Sequence, residues 1–87
     1  MPSAYFLAVR AVVNGEDPVG LLGAGAPVDE YDPEVTVLVE QRFPVDARRV
    51  HDVFAHYFGD VGAISGEAAN NIAIGASRAR REHPPES

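Results

Sequence analysis

Asp29, Glu30, Asp32 and Glu34 fall within six positions of the stretch "PVDEYDPEV", interrupted only by Tyr31 and Pro33. Carboxylates at that density have three chemical uses: ligating a hard cation, moving protons, or meeting a cationic partner. The spacing disfavours the first. A calcium loop alternates oxygen ligands through a flexible segment with glycine at its sharp turn, whereas here Pro33 stiffens the chain. Proton transfer needs a carboxylate shifted by burial or a shaped pocket, and adjacent loop carboxylates are ordinarily solvated.

Part of the cluster has a local explanation. Asp32 stands at an N-cap position, Pro33 at the first helical position, where a missing N–H costs nothing, and Glu34 in the first turn, where the helix dipole favours negative charge. Capping leaves Asp29, Glu30 and Tyr31 unassigned. Together with Glu16 they are the candidate partner-binding residues, the Tyr31 ring either packing on the helices or offering apolar contact to a partner.

The remaining reactive side chains form no catalytic pattern. There is no cysteine and no lysine, and the four serines and Thr36 lie in no nucleophile elbow. His51 and His56 are five apart, roughly 140° around a helix, so they cannot share a metal on one face. Glycine-rich "GLLGAGAP" lacks a following Lys-Ser/Thr and lies among acids that repel phosphate; it reads as a connector. Accordingly no catalytic residue, metal ligand or cofactor is expected.

The elements that must position these residues are helical. Ser3 caps a first helix over Ala4 to Val13, apolar on most sides, which Asn14-Gly15 ends. Asp17-Pro18 then starts a single extra helical turn near residues 17–22, cut short by Gly20 and Gly23. A second helix runs from Asp32 to about Arg42 and closes at Phe43-Pro44. In the third, capped by Asp46 and stopped by Gly59, Val50, Val53, Phe54, Tyr57 and Phe58 fall at i, i+3, i+4, i+7 and i+8. A fourth runs from Glu67 to Arg81, where Ala68, Ile72, Gly75, Ala76 and Ala79 make a small-residue face suited to close packing. The expected fold is therefore all-α, a compact bundle of about four helices in one domain over residues 1–83, with a disordered tail at 84–87.

Charge narrows the partners. The chain of 87 residues carries a net charge of −6, and from Asn14 to Glu34 there are six acids and no base. Only "SRARREH" reverses the sign, with Arg78, Arg80 and Arg81. That balance argues against nucleic acid, whose binding rests on cations that displace counterions, and favours a basic protein. No apolar run reaches membrane-spanning length, and the first residues lack the basic region and cleavage site of a signal peptide. A small cysteine-free domain suits the cytoplasm.

The stretch "NGEDPVGLLGAGAPVDEYDPEV", followed by "VHDVFAHYFGD" and "NNIAIGASRAR", resembles the YugE-like family of small bacterial helical proteins, over about Tyr5 to Arg80. The resemblance implies an all-α fold and carries no activity, cofactor or catalytic residue. Two functional readings stand: a non-enzymatic interaction module docking a basic partner through residues 16–34, or a dimerisation or small-ligand domain acting through its core or the face of the fourth helix.

Overall fold

The computed structural model describes residues 3–40, 45–59 and 64–84, and among these every regular element is an α-helix. They are α1 (Ala4–Glu16), α2 (Asp32–Val39), α3 (Ala47–Phe58) and α4 (Gly66–Glu82). Each helix packs on two others, α1 on α2 and α4, α3 on α2 and α4, so the four close into a ring around one core. The protein is an all-α bundle.

Each helix buries one stripe. Tyr5, Val9 and Val13 do so from α1, Val35 and Leu38 from α2, Val50, Val53 and Phe54 from α3, and Ala69, Ile72, Ala73, Ala76 and Ala79 from α4. At about 1.5–3 kcal/mol for each large apolar side chain fully buried, these stripes supply the main force for folding. The Phe54 and Phe58 rings stack 5.9 Å apart, and Tyr31 meets both edge-on. Tyr57, which its spacing assigns to the buried face, is instead 46% exposed.

Three caps form at the residues that the sequence nominates. Ser3 accepts from Phe6 N–H, Asp46 from Arg49 N–H, and Gly59 ends α3 with φ at 69°. Ser65 caps α4 by accepting from Ala68 N–H, so that helix starts at Gly66, one residue before the expected Glu67.

The small residues of α4 are consumed within the chain. A methyl group added at Gly75 would lie 2.6 Å from a Val12 methyl of α1, so glycine is what lets these two helices approach. Two ends differ from expectation. α1 runs through Asn14-Gly15 to Glu16 and ends at Asp17, which takes the left-handed conformation (φ 45°) that Gly15 was expected to supply. α2 leaves Val39 for Glu40, and the expected Phe43-Pro44 stop and the end of the tail beyond residue 84 lie outside the described residues.

Candidate functional site

The acidic segment lies between α1 and α2, and its construction begins with Asp17. Aspartate tolerates the left-handed region better than most residues because its short side chain can bond locally. Here the carboxylate folds over the chain that follows: one oxygen accepts from Leu22 N–H at 3.0 Å, the other from Gly23 N–H at 2.9 Å. These bonds hold the Asp17 carboxyl below the ordinary aspartate range, the Leu22 N–H contributing most. Residues 18–25 form a run of turns, with Gly20 N–H on Asp17 O, Ala24 N–H on Gly20 O and Gly25 N–H on Leu22 O.

Tyr31 completes this wiring. Its side chain is fully buried, and its hydroxyl donates to Asp17 Oδ1 at 2.8 Å while accepting from Val19 N–H (3.2 Å) and Leu21 N–H (3.3 Å). Burial, and next the hydrogen bond to Asp17, push the phenol above its ordinary value, so the proton stays on Tyr31 and the charge on Asp17. Of the two readings of Tyr31, a ring packed on the helices and a ring offered to a partner, the fold has the first, and its place among the candidate partner-binding residues is corrected. The residue is a core post on which the loop hangs.

Asp32 has a different partner from the one capping predicts. Tyr31 occupies the N-cap position without a side-chain cap bond, and Asp32 is already helical. Arg10 of α1 grips its carboxylate with two nitrogens, Nε donating to Oδ1 at 2.9 Å and Nη2 to Oδ2. This fork geometry is the most specific form of ion pair. Glu34, read as a dipole-favoured helix-start acid, is 3% exposed, and burial raises its pKa, helped by the charges of Glu30 and Asp32.

What remains outside is the loop tip. Pro27, Val28, Asp29 and Glu30 are exposed, Val28 by 67%. The tip is nevertheless anchored: Asn14 Nδ2 donates to Val28 O at 2.8 Å, Glu30 N–H bonds Pro27 O, and Asp32 N–H bonds Asp29 O. Glu16 is not brought to it. Glu16 approaches Asn71 of α4 at 3.4 Å, whereas Asn14, which holds Val28, lies about 200° away around α1. Of the four candidate residues the structure thus groups Asp29 with Glu30, places Glu16 on another side of α1 and buries Tyr31.

Val28 is the surface residue that sequence reasoning missed. Its signal is an apolar side chain with no periodic partner, set between Pro27 and Asp29. Among the described residues no three His, Asp or Glu side chains are placed to hold a metal ion. No helix among them is long and apolar enough to cross a membrane.

Comparison with known proteins adds no name to this geometry. No family model, curated protein or solved structure matches the chain. The site must be read from its own chemistry. It is a negatively charged, partly apolar tip on an internally bonded loop.

Proposed function

We propose that the protein is a non-enzymatic interaction module, a member of the YugE-like family it resembles, that docks a basic protein in the cytoplasm through its acidic loop. The docking surface is Val28, Asp29 and Glu30. Nucleic acid, membrane and cofactor have no part in this reading.

The observation that supports it is the combination at Val28: an apolar side chain two-thirds exposed, followed by two exposed carboxylates, on a backbone held by Asn14. A preorganised loop loses little conformational freedom on binding, so more of its contact energy is available as affinity. The carboxylates raise local negative potential and speed encounter with a basic surface, an effect that salt screens. Val28 supplies the apolar contact that Tyr31 does not.

The test is the variant Asp29→Lys with Glu30→Lys, and separately Val28→Ser, used as immobilised bait beside the wild type at low and high ionic strength. A partner captured by the wild type, lost at high salt and lost from the charge-reversed bait at unchanged melting temperature, supports the reading. Capture that survives charge reversal overturns it.

A further inference from the structure

The opposite end of α1 holds a second feature, unrelated to the acidic loop. Tyr5 from the first turn of α1, Ala76, Ser77, Arg80 and Arg81 from the end of α4, and Val45 before α3 line an open cleft of about 400 Å³. That volume lies in the usual range for small-molecule sites, about 300–1,000 Å³. Its lining is divided by chemistry. Tyr5, Val45 and Ala76 are buried apolar surfaces, whereas Ser77, Arg80 and Arg81 bring a hydroxyl and two guanidinium groups.

The polar side lies at the end of α4. Burial pushes the Tyr5 phenol above its ordinary value, and the Arg80 guanidinium beside its hydroxyl works the other way. Arg81 is exposed beside it. The groups that converge are donors and cations, which suits an oxyanion, and arginine forks match carboxylate and phosphate alike.

The net charge of −6 does not exclude such a ligand. α1 and α4 run antiparallel, since Tyr5 lies by Arg80, Val12 by Gly75 and Glu16 by Asn71. The acidic loop follows Glu16, so it is separated from Tyr5 by the length of α1, about 18 Å at 1.5 Å per residue. That exceeds the screening length of about 8 Å at physiological salt. Arg80 and Arg81 stand in the lining of the cleft, with Glu82 the acid next to them in the chain.

We infer that this cleft binds a small organic anion, with its carboxylate or phosphate head on Ser77, Arg80 and Arg81 and its apolar body against Tyr5, Val45 and Ala76. The head requires the guanidinium pair, and the body requires the buried wall. Neither half of the ligand alone satisfies the site.

The experiment is a titration of the isotope-labelled full chain with octanoate and octyl phosphate, followed by amide and arginine side-chain NMR shifts, with acetate, inorganic phosphate and octanol as half-ligands. The expected result is saturable shifts centred on Ser77, Arg80 and Val45 for at least one of the two amphiphilic anions. Each half-ligand should bind at least about tenfold more weakly. The tighter of octanoate and octyl phosphate names the head group. Arg81→Gln, at an exposed position that leaves the fold intact, should weaken binding about tenfold, and Ser77→Leu should abolish it by filling the cleft. Octanol binding as tightly as octanoate, acetate or inorganic phosphate doing so, shifts dispersed over Arg78 and Arg10, or no saturable shift with either amphiphile would each overturn the assignment.

Discussion

The Tyr31 hydroxyl donates to Asp17 Oδ1 at 2.8 Å, joining residues fourteen positions apart and closing the loop between α1 and α2. The same oxygen accepts from Val19 and Leu21 N–H. Removing it leaves the two N–H groups and one carboxylate acceptor position without a partner in a part-buried setting. Tyr31→Phe keeps the ring contacts with Phe54 and Phe58 and should cost about 1–3 kcal/mol, the penalty for stranding buried polar groups. Thermal or urea unfolding checks this. A stability equal to wild type would mean that water replaces the hydroxyl and that the loop does not depend on it.

Phe54 and Tyr57 lie three apart on α3, yet one is fully buried and the other 46% exposed. Phe54→Ala removes a ring stacked on Phe58 and edge-packed on Tyr31, and should cost about 3–5 kcal/mol. Tyr57→Ala should fall within about 1 kcal/mol of wild type, since substitutions away from the core cost little. Comparable losses at both sites would mean that Tyr57 is buried in solution.

These two pairs mark what the sequence made legible. The buried stripe of α3 and its caps at Asp46 and Gly59 were readable because they depend on side chains within four residues of one another. The Arg10–Asp32 pair spans 22 positions and the Asp17–Tyr31 bond 14, and no local rule couples residues at that distance. Local rules therefore make Asp17 a helix start and Asp32 a cap, whereas each is claimed by a partner that only the folded chain supplies. The Asn14-Gly15 signal was overridden for the same cause: Asn14 is needed to hold Val28, and Asp17 N–H closes the helix onto Val13 O. Burial of Glu34 had no signal at all, since a first-turn acid looks the same in sequence whether or not its neighbours cover it.

Gly75 sets the distance between α1 and α4. Alanine is the better helix former by about 1 kcal/mol, so a helix in isolation would gain from Gly75→Ala. Here the new methyl meets Val12 Cγ1 at 2.6 Å and Cγ2 at 2.8 Å, with Val12 Cβ itself at 3.3 Å. Rotating the branched valine does not clear it. Overpacking of this kind costs about 1–3 kcal/mol, so the variant should be less stable overall. Adding Val12→Ala should recover part of the loss, and a double-mutant cycle measures the coupling. A Gly75→Ala protein more stable than wild type would show that the helices separate at little cost.

The pH dependence of stability follows from two carboxyls shifted in opposite directions. Glu34 is buried with its pKa raised, first by desolvation and then by Glu30 and Asp32. The folded state therefore holds its proton more tightly than the unfolded chain does, so the penalty for burying the charge is fully present above the folded-state pKa. It is relieved as pH falls through that value toward the ordinary glutamate range, and stability rises on mild acidification. Asp17 is lowered, chiefly by the Leu22 and Gly23 N–H groups. Its contribution is complete above the unfolded aspartate pKa and is lost as pH falls through the folded one. Going down in pH, the protein should first gain stability at Glu34 and then lose it at Asp17, giving a maximum between the ordinary glutamate and aspartate ranges. Glu34→Gln should raise the melting temperature at neutral pH and remove the rise on acidification while leaving the acid limb in place. Melting temperatures across a pH series for both proteins decide it. A Glu34→Gln variant that is less stable than wild type at neutral pH, or that keeps the same rise, would mean that Glu34 is ionised in the folded protein at a favourable charge and not a buried burden.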